Sequence, residues 1–141
     1  MAADVAPRAA LLDTDTLSAV LVGRASVHEH ALAYLQAHTY RFTFSVITRY
    51  EILKGLHAKG ATAQAARFEE FCTTHDVRAL SDAAVVRAAE IYADLHRRGA
   101  LIGDADILIA ATAMVHGLAI VTNNVRHFRR IPGLDVANWL A

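Results

Sequence analysis

An α/β fold built on a short parallel sheet is what this 141-residue sequence predicts, and three observations carry that expectation. Strand-like apolar runs recur at Ala9–Leu12, Arg41–Ser45, Val77–Leu80, Leu118–Val121 and Leu134–Trp139, with helix-period segments between the first four. The stretch from Leu101 to Asn124, LIGDADILIAATAMVHGLAIVTNN, sets two acids at the head of an apolar, alanine-rich helix that turns into an interior strand. Asp13 follows the first strand directly, so acids collect at the carboxyl edge of the sheet, where open α/β sheets bind ligands.

Each element has a local reason. Leu17 to Val22 continues from the first strand as a helix, for which Asp15 or Thr16 is the expected N-cap. Val27 to His38 carries Val27, Ala31, Leu32, Tyr34 and Leu35 at near-helical spacing. Val46 through His57 reads as a helix with Ile47, Ile52, Leu53 and Leu56 on its apolar side, and Ala61 to Thr73 as another with Phe68, Phe71 and Cys72 inward. Ser81 caps a helix that ends in His96, Arg97, Arg98 and Gly99, an ordinary basic C-terminus. From Ile107 to Val115 the small Ala110, Ala111 and Ala113 predict a helix buried on more than one side, stopped by Gly117.

Composition bounds the rest. One domain spanning residues 1–141, with a loose tail over 1–7, accounts for a length sufficient to bury a core without disulfides. Fourteen basic residues balance fourteen acidic ones, so any nucleic-acid contact must be local, and a 55% hydrophobic content leaves apolar surface for another chain. A lone Cys72 and the lack of a secretory or membrane-spanning run point to a reducing cytoplasm with no membrane. The eight histidines form no zinc-like spacing.

The acids are the chemical signal. Asp13 reads as functional. Glu51 fits a capping box with Thr48, but it also follows the second strand at the same edge as Asp13, where converging carboxylates need a cation or a proton, and both readings stand. Asp104 and Asp106 cannot share a direction inside one helix; Asp104, after Gly103, is a natural N-cap, which leaves Asp106 as the site candidate. Oxygen-only ligands at such an edge suit Mg²⁺ or Mn²⁺. Arg126, Arg129 and Arg130 form either a solvated basic loop or a phosphate-contacting patch beside the acids.

Taken together, LLDTDTLS, SVITRYEILKGL, IGDADILIAATAMVHGLAIVTNN, RHF and PGLDVANW resemble a PIN-domain ribonuclease of the VapC toxin type over nearly the whole chain. The resemblance implies a three-layer α/β/α fold and an Mg²⁺-dependent endoribonuclease, with Mn²⁺ as a substitute. It implies that Asp13, Glu51 and Asp106 are the catalytic acids, with Asp13 and Asp106 on the metal. Asn123 would stand where relatives often carry a fourth acid or an amide, Thr14 and Thr122 would orient Asp13 and a metal-bound water, and Asp104 would bind a second ion or cap the helix. It further implies an RNA substrate, a homodimer, and a VapB-type antitoxin lying in a groove that the helices from Val27 to His38 and Ile47 to Leu56 could supply. Two other readings compete: a haloacid-dehalogenase-like phosphotransferase using Asp13 as nucleophile, weakened by Leu17 where that motif has threonine, and a non-catalytic PIN-like binding module.

Overall fold

The computed structural model describes residues 7–140, so the tail expected over residues 1–7 lies almost wholly outside the described part. Five strands, β1 (Ala10–Leu12), β2 (Thr43–Ser45), β3 (Asp76–Arg78), β4 (Ala119–Val121) and β5 (Val136–Ala137), form one sheet in the order β3-β2-β1-β4-β5, and every pairing is parallel. The helices are α1 (Thr14–Leu21), α2 (Ala25–Ala37), α3 (Val46–Ala58), α4 (Thr62–Thr73), α5 (Asp82–Arg97), α6 (Asp104–Val115) and α7 (Val125–Phe128). Among the described residues no helix is long and apolar enough to cross a membrane.

Strand alternation divides the interior into two cores. Ala10, Leu12, Phe44, Ala119 and Val121 face one side and pack with Leu17, Val27, Tyr34, Phe68 and Trp139; Leu11 and Ile120, register partners in β1 and β4, face the other and pack with Leu95, Ile107, Ile109, Ala110 and Phe128. Helices on both faces of a parallel sheet give the three layers expected. The first core gathers the rings of Tyr34, Phe42, Phe44, Phe68, Phe71 and Trp139, whereas Phe128 is the only buried ring of the second.

Helix α6 is buried as its alanines predict: Ile109, Ala110, Ala111, Thr112 and Ala113 are all fully inaccessible. Its chain exit uses Gly117 at φ +65°, a left-handed turn in which Leu118 N–H reaches the Ala113 carbonyl at 2.9 Å. Strands are shorter than the apolar runs suggested: each central strand is three residues long, and only two of the three pair on both sides before the chain turns into a helix.

Tyr34 closes one gap that this shortness leaves. Pairing of β1 with β2 begins at Leu11, and the Tyr34 hydroxyl accepts from Ala10 N–H and donates to the Ala10 carbonyl, both at 3.0 Å. Burial holds its phenol above the ordinary tyrosine range, against the hydrogen bond from Ala10 N–H, which favours the ionised form. Tyr34→Phe is expected to lower unfolding stability by about 1–3 kcal/mol, because it strands two buried backbone groups; denaturant midpoints equal to wild type would show that water replaces the hydroxyl.

Candidate active site

The switch point of the sheet lies between β1 and β4, where β2 continues to one side of β1 and β5 to the other side of β4. Asp13 leaves β1 there, and its backbone N–H is held to the Val121 carbonyl at 3.0 Å. Its carboxylate is the N-cap of α1, with Oδ1 accepting from Thr16 N–H at 2.9 Å, while Oδ2 accepts from the Thr122 hydroxyl at 2.5 Å. The cap expected at Asp15 or Thr16 is therefore Asp13 itself, since the helix begins one residue after the strand ends. Asp13 is 4% exposed, and burial holds its carboxyl above the usual aspartate range against the hydrogen bonds of Thr122 and Thr16; the Asp15 charge adds to the rise.

Glu51 is no capping-box residue. Helix α3 starts at Val46, with Ser45 as N-cap accepting from Ile47 N–H at 3.0 Å, so Glu51 lies well inside the second turn. Its Oε1 accepts from the Thr14 hydroxyl at 2.6 Å, and the buried Thr48 hydroxyl lies 3.1 Å from that of Thr14. Thr14, expected to orient Asp13, orients Glu51 instead; Thr122 fills the expected place beside Asp13.

Asp106 projects from the first turn of α6, whose N-cap is Gly103. Asp104, expected as that cap, is the first helical residue and is exposed. Burial, then the charge of Glu51 and more weakly that of Asp15, hold the Asp106 carboxyl above its ordinary range, and His127 opposes them. Asp106, Glu51 and Asp15 thus feel one another at this edge. Among the described residues no three side chains of His, Cys, Asp and Glu stand close enough to cage an ion by themselves. The donors present are oxygens, two of them on acids that burial and mutual repulsion disfavour as anions, a set that suits a hard cation keeping several waters.

Three residues of this edge were not read from the sequence as part of the site. His127, in the short helix α7 that replaces the expected basic loop, has Nδ1 3.9 Å from Asp106 Oδ2 and 2.6 Å from the Asn124 amide. Asn124 N–H donates to Thr122 Oγ1 at 2.9 Å, so Asn124 joins the network while Asn123 is exposed. Thr16 is fully buried beside Asp13. An asparagine three residues before a histidine was the available signal, since that spacing puts both on one helical face. Of the basic residues, Arg126 and Arg129 are exposed, whereas Arg130 donates to the Ala100 and Leu101 carbonyls at 3.3 and 3.1 Å and ties the α5–α6 loop to α7.

A cleft of about 520 Å³ opens beside Glu51, lined by Thr14 and Glu51 together with Leu21, Ile52, Gly55, Leu56, Phe68 and Phe71. It lies between α1, α3 and α4. The helix from Val27 to His38 does not form it: Tyr34, whose exposure would have marked a groove there, is 2% exposed, and Leu35 is half-buried.

Comparison with known proteins gives this geometry a family. The PIN domain matches residues 10–134. A relative named tRNA(fMet)-specific endonuclease VapC, from Salmonella typhimurium, is 32% identical over 130 residues, which is 92% of this chain and 96% of that protein. The crystal structure of DNA-bound VapBC from Salmonella typhimurium superimposes with a TM-score of 0.81 at 30% identity, covering 94% of this chain and 99% of that one. VapBC-1 from nontypeable Haemophilus influenzae follows at 0.80 and 25% identity, covering 93% and 98%. On the family match, the near-complete coverage and the shared fold, this chain belongs to the PIN-domain family, in its VapC branch.

Proposed function

We propose that this protein is a divalent-cation-dependent endoribonuclease toxin, kept inactive by a cognate antitoxin that occupies the cleft beside its acids. The observation that carries the chemistry is the convergence of Asp13, Glu51 and Asp106 on one sheet edge, where Asp13 and Asp106 are both disfavoured as anions. Relatives named as VapC ribonucleases and solved structures of VapBC complexes support the activity and the partner.

Asp13 and Asp106 would hold Mg²⁺ or Mn²⁺, which when bound supplies a water of lowered pKa and positive charge for a phosphate. Glu51 is held by Thr14 through Oε1, and its Oε2 is left to take a proton from the attacking water. Thr122 and Thr16 keep Asp13 in one rotamer, so the carboxylate need not reorganise when substrate arrives. Asn123, exposed at the same edge, adds an amide to the substrate side, and exposed Asp104 lies outside the hydrogen-bonded set. Arg126 and Arg129 meet phosphates that the acids would otherwise repel. Two of the relatives are named for a transfer RNA, so the substrate class proposed is a folded RNA with an accessible single-stranded loop.

Purified protein freed of its partner is expected to cut RNA from a cellular pool into discrete fragments, to stop with a chelator and to resume with Mg²⁺ or Mn²⁺. Cleavage indifferent to the chelator would sink the cation reading. A phosphorylated Asp13 formed from a generic phosphoester would instead favour the phosphotransferase.

A further inference from the structure

The two acids assigned to the cation come from distant stretches of the sequence, Asp13 after β1 and Asp106 in the first turn of α6, and no hydrogen bond joins them among the described residues. One segment reaches both. The turn from β4 into α7 contributes the Thr122 hydroxyl to Asp13 Oδ2 at 2.5 Å, receives Asn124 N–H on that same hydroxyl at 2.9 Å, and through the Asn124 side chain contacts His127 Nδ1 at 2.6 Å, which lies 3.9 Å from Asp106 Oδ2. The hydrogens along the first half of this path are accounted for: Thr122 donates to the carboxylate and accepts from the backbone. In the second half the same ring nitrogen meets the Asn124 amide at 2.6 Å and stands 3.9 Å from the Asp106 carboxylate, so its hydrogen bond is with Asn124 and its approach to Asp106 is a polar contact beyond hydrogen-bond distance.

We propose that His127 is a positioning residue for Asp106, and that the segment Thr122–Asn124–His127 is a brace fixing the spacing between Asp13 and Asp106. Its purpose rests on the cation reading above. The side chain of His127 is 40% exposed and that of Asp106 31%, so the contact stands at the rim of the site and not in the core. Phe128, the next residue, is fully buried and anchors α7, so His127 is presented from a helix that cannot drift. Asn124 restrains the ring through Nδ1, the same nitrogen that faces Asp106. Removing the imidazole leaves Asp106 free to turn from Asp13, whereas a glutamine keeps a donor within reach of the same carboxylate.

The test is Mn²⁺ binding by the full chain without its partner, read from the electron paramagnetic resonance signal of free Mn²⁺, in wild type, His127→Ala, His127→Gln and Asn124→Ala. Residues that orient metal ligands typically contribute about 10–100-fold in affinity. His127→Ala is expected to weaken binding by at least about tenfold with an unchanged melting temperature in the absence of metal, Asn124→Ala by less, and His127→Gln to recover most of the loss. Wild-type affinity in a folded His127→Ala would overturn the brace while leaving the cation site standing. Loss in His127→Gln equal to that in His127→Ala would also overturn it, since a polar group held beside the carboxylate would then not be the operative feature. No Mn²⁺ binding by wild type would overturn the cation reading, and the brace with it.

Discussion

Asp13→Asn is expected to abolish RNA cleavage, by about a thousandfold or more, and at the same time to raise the melting temperature at neutral pH. The first effect follows from removing a charge at the point where a cation and a phosphate would meet. The second follows from burial. Asp13 is 4% exposed and its carboxyl is held above the ordinary aspartate range, chiefly by desolvation. A raised folded-state pKa contributes stability that is fully present below the unfolded value and is lost as pH rises through the folded one, so at neutral pH the ionised group is a cost. Asparagine removes that cost and still caps α1 well, with its oxygen facing Thr16 N–H and its amide facing the Thr122 hydroxyl, which can accept it. Thermal melts without metal at pH 4.5 and 7.5 check the sign: the advantage of Asp13→Asn should be larger at the higher pH. A variant equally destabilised at both values would mean that the carboxylate is structural.

The second large effect concerns the cleft. Gly55 lies on its wall in α3, and a Cβ built there meets nothing within 4 Å. Gly55→Trp therefore fills the cleft without displacing the core, and the helix loses its least favourable residue, worth up to about 1 kcal/mol for Gly→Ala at such a position. We expect antitoxin affinity to fall by at least a hundredfold, about 2.7 kcal/mol by affinity arithmetic, while metal-dependent cleavage and folding persist. Titrating the antitoxin against cleavage by wild type and Gly55→Trp reads both quantities at once. Inhibition at the same antitoxin concentration would place the partner elsewhere on the surface.

How much of this was legible beforehand depends on the range of the interaction. The strands and α6 were legible because burial on both faces leaves an apolar signature in neighbouring residues, as at Leu118–Val121 and Ile107–Val115. Asp13 and Asp106 stood out because each interrupts or ends such a run. The start of α1 was misplaced because DTDT offers four consecutive capping side chains, and only the end of β1 decides among them. Glu51 looked like a capping residue because Thr48 stands three places before it; the bond that fixes its role comes from Thr14, 37 residues away. His127 was hidden among arginines in the same manner, since its partner Asp106 lies on another helix.

The unequal sharing of aromatic rings between the two cores has a consequence for how the protein is watched. Trp139, the chain's single tryptophan, is packed against Tyr34 and Phe42, on the side of the sheet that also carries the cleft. Tryptophan emission, excited selectively, therefore reports on that half of the molecule, since the layer of α5 and α6 carries a tyrosine, Tyr92, but no tryptophan. Unfolding followed by tryptophan emission samples one half and by far-ultraviolet dichroism the helices of both, so the coincidence of the two curves tests whether the sheet couples them into one cooperative unit.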